Sequence, residues 1–288
     1  MAVVLITGCG SGFGLEAALA FAGQGNTVIA TVRNMNRSAA LAARARKADL
    51  DLHIRALDVT HPETFADFLT TASADFGPLD VLVNNAGVIR PGALEDLPES
   101  TLREVMETNF FGPLLLTRAA LPAMRARNAG IIIMISSLSG IAGLAGDVIY
   151  SASKFALEGA TEALRHECGR FGIRFALVQC AGYATGLLGP DAAWNDIPAD
   201  SAYRPLLAAR QRAATQSHAS APHPRAVGEL LPQIARDDSG RLRWQADDLS
   251  RRVMDTLWRA DDSSREQFLR QASDIQWWLQ GKATEESE

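Results

Sequence analysis

The chain has 288 residues, 47% of them hydrophobic and 21% charged, with a formal net charge of −5. That is material for one large domain or two small ones. The lack of a basic run argues against a nucleic-acid partner, whose phosphates need clustered Lys and Arg. Three cysteines, Cys9, Cys168 and Cys180, form an odd set without metal-ligand spacing, so free thiols in a reducing, cytoplasmic setting are expected rather than a disulfide or a metal centre. Cys9 is expected to be open to alkylating reagents.

Val3-Val4-Leu5-Ile6 is an apolar run of strand formers, too short for a signal peptide or a membrane span. Thr7-Gly8-Cys9-Gly10-Ser11-Gly12-Phe13-Gly14 follows, then the helix-forming stretch from Leu15 to Ala22. Strand, glycine loop and helix together aim backbone N–H groups and a helix N-terminus at a phosphate. The glycine spacing G-x-x-x-G-x-G differs from the common G-x-G-x-x-G fingerprint, so alone it is also compatible with a plain turn. Further strands are expected at 27–31, 52–57, 81–84, 131–136 and 173–179, and helices at 12–24, 38–48, 62–74, 99–128, 151–169 and 225–235. Strands and helices alternate, and the strands lack strict apolar alternation. Both features predict an α/β fold with a doubly wound parallel sheet buried on both faces.

Within this frame, Asn84-Asn85-Ala86-Gly87 ends the fourth strand and Asp58 follows the third. Asn109 stands four residues before Pro113, which lacks an N–H. The Asn109 carbonyl thereby loses its helical partner, and a kink there would leave it free to accept a water. Tyr150 and Lys154 are four residues apart, on one face of a helix. A free tyrosine titrates near pH ~10, so catalysis near neutrality needs a shift of about 3 units, or roughly 4 kcal/mol. One ammonium at ~4 Å, at an effective dielectric of ~20, supplies about 4 kcal/mol. The pair is therefore expected to form an acid–base tyrosine whose pKa the lysine lowers. Residues 187–224 carry Pro190, Trp194, Pro198, Tyr203 and Pro205 and read as a substrate loop or lid, the alternative being an unstructured surface loop. Residues 247–280 read as helical, and 282–288 as a frayed tail.

Taken together, Thr7-Gly8-x-x-x-Gly12-x-Gly14, Asn84-Asn85-Ala86-Gly87, Ser137 and Tyr150-x-x-x-Lys154 resemble the short-chain dehydrogenase/reductase family, in its compact single-domain branch. Ser137 lies thirteen residues before Tyr150, the interval of that branch, which favours it over Ser136 and Ser139. The likeness covers roughly residues 2–185. A weaker one runs through His223–Val227 and Gly240–Trp244, toward the subgroup of hydroxysteroid and retinol dehydrogenases. It implies one Rossmann-fold domain over 1–288, with a cofactor-binding and catalytic core at 1–186, a substrate loop at 187–224, and C-terminal helices and a last strand at 225–288.

The resemblance also implies roles. Tyr150 exchanges a proton with the substrate oxygen, Ser137 holds that oxygen, Lys154 lowers the tyrosine's pKa and binds the nicotinamide ribose, and Asn109 holds a relay water. Gly8, Ser11, Gly12, Phe13 and Gly14 cradle the dinucleotide. Asp58 bonds the adenine, Asn85 lies at the adenosine ribose and Thr185 bonds the carboxamide. Members that select NAD end their second strand with an acid. Here that position is Val32, followed by Arg33, whose guanidinium suits a 2′-phosphate, so NADP(H) is preferred over NAD(H). The family's Pro-Gly after the sixth strand is missing, replaced by Cys180-Ala181-Gly182-Tyr183-Ala184-Thr185. Leu144, Ala145, Val148, Tyr183, Leu187 and Leu188 would border a pocket for a hydrophobic alcohol or carbonyl compound. A homodimer or homotetramer through helices 99–128 and 151–169 is implied. The competing reading is a dinucleotide-sensing regulator of the same fold; a sugar-nucleotide epimerase fits the length and glycine spacing less well.

Overall fold

Seven strands frame the described residues: β1 (Val3–Ile6), β2 (Thr27–Val32), β3 (His53–Ala56), β4 (Val81–Asn84), β5 (Gly130–Ile135), β6 (Ile173–Gln179) and β7 (Arg243–Gln245). They pair in the order β3-β2-β1-β4-β5-β6-β7, every neighbour parallel. This computed structural model describes residues 1–187 and 197–282. Leu188, Pro190 and Trp194 of the expected substrate loop, and the tail after Lys282, lie outside the described residues.

Successive strand residues point to opposite faces, which explains the unbroken apolar runs. Val4, Ile6, Val28, Val83, Ile133 and Val178 pack under α1 (Gly12–Ala22) and α8 (Arg225–Arg236). Leu5, Ile29, Leu82, Ile132, Met134 and Leu177 pack under α3 (Phe65–Phe76), α5 (Gly112–Arg127) and α6 (Val148–Cys168) on the other side. The second helix, α2 (Ala39–Lys47), lies beyond β2 and ties its Arg44 to the buried Glu16 of α1. Among the described residues, no helix is long and apolar enough to cross a membrane.

Three expectations need correction. The helix expected over 99–128 is two, α4 (Glu99–Met106) and α5, joined by a π turn at Glu107–Phe111 in which the Gly112 N–H donates to the Glu107 carbonyl five residues back. Pro113 supplies the reason: without its N–H the α ladder cannot close on Asn109, and the backbone widens there. The segment after residue 187 is not merely loop, since α7 (Arg204–Ala219) fills much of it and buries Leu206 and Leu207. The C-terminal stretch is three helices, α9 (Asp248–Leu257), α10 (Asp262–Ala272) and α11 (Gln276–Leu279), not one. Asp247 and Asp261 cap the first two by accepting from the Ser250 and Ser264 N–H groups, which restart the helix after each break.

α1 and α8 touch backbone to backbone. A side chain at Gly228 would place its first carbon 2.5 Å from Glu16 Cβ and 2.8 Å from the Ala17 nitrogen. Neither neighbour can yield without moving α1, the helix whose start forms the glycine loop. Gly228→Ala is expected to lower the free energy of unfolding by about 1–3 kcal/mol through overpacking, read as a fall in the urea midpoint at unchanged slope.

Candidate active site

The sheet order reverses between β1 and β4, and a parallel sheet opens a crevice at the carboxyl ends of its strands at such a point. The chain places there the loops after β1, β4, β5 and β6, which carry most of the expected site residues.

The glycine loop is held by polar bonds across this crevice. Thr7 Oγ1 accepts from the Asn85 and Ala86 N–H groups at 2.9 and 3.0 Å, and Asn85 Nδ2 donates to the Thr7 and Gly8 carbonyls at 2.8 and 3.1 Å. Gly8, at φ +72, brings its backbone so near Ala86 that an added carbon would stand 2.9 Å from Ala86 Cα. At Gly14 an added carbon would stand 2.4 Å from both Asn85 Nδ2 and the Gly8 carbonyl oxygen. Asn85 therefore acts first as the strut of the loop. Ser11 caps α1 from an extended backbone, yet its exposed hydroxyl makes no capping bond. A free hydroxyl at a helix N-terminus, above glycines that admit no side chain, fits a dinucleotide phosphate.

Around this cradle, Arg33 is exposed just past β2 and Val32 is buried. Arg37, unnoticed in the sequence, comes to the same loop: a side chain at Gly10 would start 3.3 Å from the Arg37 carbonyl oxygen. Its signal was the i, i+4 spacing from Arg33. Asp58 Oδ1 accepts from the Thr60 N–H and hydroxyl at 3.0 and 2.8 Å, a turn cap that leaves Oδ2 free of these bonds. Thr185 lies against Gly12, whose added carbon would stand 3.2 Å from its methyl group.

The catalytic candidates converge from three elements. Tyr150 sits in the first turn of α6, which begins three residues before the expected start, and is 7% exposed. The Ser137 side chain, after β5, stands by the phenol and favours its ionised form, while Ser137 Oγ accepts from the Ser139 N–H at 3.1 Å. Ser136 and Ser139 are buried, and the Ser136 hydroxyl has no partner.

Lys154 departs from expectation. Its Nζ donates to the Ile135 carbonyl at 2.8 Å and lies 5.8 Å from the centroid of the Tyr150 ring. The phenol is pushed above its ordinary value chiefly by burial; the Ser137 side chain acts against this, and the Asp147 charge raises it further. Burial also pulls the Lys154 ammonium down to about 8. Burial thus raises the phenol, where the sequence led to the expectation that the lysine lowers it, since desolvation disfavours the charged form of a group taken out of water.

Asn109 lies in the π turn with its amide committed. Oδ1 accepts from the Val88 N–H at 2.8 Å, and Nδ2 donates to the Val88 carbonyl at 2.8 Å and to Ser153 Oγ at 3.1 Å. It fixes the segment beyond Gly87 against α6. Tyr183 is not a pocket residue. It is buried in the core, packs edge-on against Phe13 at 5.1 Å, and donates to Asp247 Oδ2 at 3.0 Å. Asp247 Oδ2 also accepts from the Ala181 N–H at 3.3 Å, so these bonds hold the loop that lacks Pro-Gly. A cavity of about 270 Å³ lies elsewhere, between α10 and the 143–145 loop, lined by Asp262, Arg265, Glu266 and Arg270 among others. Among the described residues expected at the pocket, only Ala145 borders it, and neither Ser137 nor Tyr150 does.

A family model described as short chain dehydrogenase matches residues 2–196. The chain is 36% identical over 241 residues to an uncharacterized oxidoreductase, YusZ, of Bacillus subtilis, covering 81% of this chain and 84% of that protein. It is 35% identical over 253 residues to estradiol 17-beta-dehydrogenase 1 of Rattus norvegicus, covering 84% and 72%. Among solved structures, a metagenomic short-chain oxidoreductase in complex with NADP superposes with a TM-score of 0.66 at 26% identity, over 85% of this chain and 95% of that one.

The expected reach of Cys9 is also overturned. It is fully buried, its thiol donates to the Ile6 carbonyl at 3.3 Å, and burial pushes it up to about 12. Cys168 and Cys180 are buried and raised as well. Iodoacetamide at neutral pH is therefore expected to label none of the three cysteines in the folded protein and all three in denaturant, as read by intact mass.

Proposed function

We propose, from the premise that the chain belongs to the short chain dehydrogenase family, that it is an NADP(H)-dependent oxidoreductase interconverting a secondary alcohol and a ketone, or an aldehyde, on a hydrophobic small molecule. The observation that carries this reading is the buried Tyr150 phenol, with Ser137 beside it, at the crevice next to the glycine loop. A bound nicotinamide supplies or takes up the hydride. The protein's own work is position and proton.

In reduction the Tyr150 hydroxyl donates its proton to the carbonyl oxygen. Burial suits it to this, since a phenol kept neutral has a proton to give. The Ser137 hydroxyl donates a second hydrogen bond to the same oxygen, where negative charge develops. Lys154, held over the ring by the Ile135 carbonyl, stands where its ammonium stabilises the phenolate left behind. In oxidation the roles reverse. Gly8, Ser11, Gly12, Phe13 and Gly14 hold the dinucleotide, Asp58 its adenine end and Thr185 its nicotinamide end.

The preference for NADP(H) is supported by exposed Arg33 and Arg37 where a 2′-phosphate would lie, by the apolar Val32, and by the NADP complex of the metagenomic relative. An apolar substrate is supported by Leu144, Val148 and Leu187 and by the estradiol dehydrogenase relative. The exposed Phe111 and Phe155, on the π turn and α6, support a homodimer or homotetramer through this face. The three unpaired thiols support a cytoplasmic setting.

Tyr150→Phe is expected to keep NADPH binding, followed by nucleotide fluorescence, while turnover across a carbonyl and alcohol panel falls by about 10²- to 10⁴-fold; unchanged turnover would sink the mechanism. Arg33→Ala is expected to weaken NADPH relative to NADH by about 10- to 100-fold, the worth of one hydrogen bond to a charged group, measured as the ratio of the two dissociation constants.

A further inference from the structure

Asp147 is the residue immediately before α6, three positions from Tyr150, and is buried. Its Oδ2 accepts from Arg210 Nη2 at 2.5 Å, and Arg210 Nη1 donates to the Ala145 carbonyl at 2.5 Å. Arg210 comes from α7, 63 residues away, and its side chain is 19% exposed. The residue between these contacts, Gly146, has φ +78, and an added carbon there would stand 3.0 Å from Arg210 Cδ and 3.1 Å from Leu207 Cδ2. The Arg210 side chain thus lies against a backbone that only glycine suits. The turn is tied on its other side, where the Gly92 N–H donates to the Gly146 carbonyl at 2.9 Å.

This pair is poorly built for stability alone. Among the described residues, Asp147 Oδ1 and Arg210 Nε are both buried without hydrogen-bond partners. A buried ion pair repays its desolvation only when its remaining donors and acceptors are met. What the pair does have is placement, because the Asp147 charge acts directly on the Tyr150 phenol.

We propose that Arg210 is a positioning residue for the acid–base tyrosine: from α7 it neutralises Asp147 and fixes the turn that starts α6, so that Tyr150 meets one charge balance when α7 is docked. This rests on the acid–base role assigned to Tyr150 above. The groups facing the phenol are Asp147 and Lys154 on its own segment, Ser137 after β5 and Cys180 after β6. Ser137 is uncharged and burial keeps the Cys180 thiol protonated; burial also pushes the Asp147 carboxyl up, and the Arg210 guanidinium beside it opposes this by favouring the carboxylate, so the charges that bear on the phenol are those of the Asp147–Arg210 pair and of Lys154.

The test follows the ionisation of Tyr150 without turnover, in full-length protein carrying ¹³C at the tyrosine ring Cζ; the chain has three tyrosines, and the resonance missing from Tyr150→Phe identifies the one of interest. Arg210→Met leaves Asp147 unopposed and is expected to move the midpoint up. Asp147→Asn leaves the guanidinium unopposed and is expected to move it down. The double variant should return toward the parent, and Arg210→Lys should stay near it. Turnover of Arg210→Met at neutral pH is expected to fall on the order of 100-fold, as for a misplaced catalytic group, with Arg210→Lys restoring it in part. If the two single variants move the midpoint in the same direction, or neither moves it, the inference is overturned. Failure of the reading beneath it would show differently, as full turnover in Tyr150→Phe.

Discussion

Burial of Tyr150 and Lys154 at the head of α6 is the constraint on which the site depends. Taking both groups out of water favours the neutral form of each: the phenol keeps its proton more firmly and the ammonium holds its own less firmly. The Ser137 side chain and the Asp147 charge then act on a phenol already sensitised by low dielectric, where each neighbour counts for more than it would at the surface. A tyrosine of ordinary exposure would be indifferent to most of these contacts.

The same dryness explains how the loops are assembled. Thr7, Asn85, Asn109 and Asp247 spend their polar atoms on backbone groups of neighbouring loops, which would otherwise be left unmet beside the core. Where a side chain would intrude, glycine allows backbones to touch, as at Gly14 beneath Asn85 and Gly228 on α1. The crevice is therefore set from both sides of the sheet: α1 and α8 fix the glycine loop, while α6 and the π turn before α5 fix the catalytic groups.

Local spacing made much of this legible. The strand–glycine–helix order, the interval from Ser137 to Tyr150, and the step from Tyr150 to Lys154 are properties of a few consecutive residues. Pro113 announced a break near Asn109, though not that a π turn would accommodate it. Helix α7 was missed although its Leu, Ala, Arg and Gln content favours a helix and Pro205 suits its first turn; the prolines before it drew the reading toward loop. Other features were out of reach of local pattern. The bond from Arg210 to Asp147 spans 63 residues, the anchoring of Tyr183 by Asp247 spans 64, and burial of Cys9 depends on its neighbours across the sheet. The sign of the shift at Tyr150 belongs to this group: sequence shows a lysine one turn away but not how much water the fold removes.

The measurement that tests this account most directly is the spectrophotometric titration of the cofactor-free protein, taken as the difference between the parent and its Tyr150→Phe counterpart. A free phenol is half ionised near pH ~10. The account predicts that Tyr150 contributes no phenolate signal at that pH, because desolvation outweighs the Ser137 contact that favours the ionised form. A phenolate appearing well below it would show that the ammonium dominates instead, and would contradict the electrostatics on which the proposed proton transfer is built.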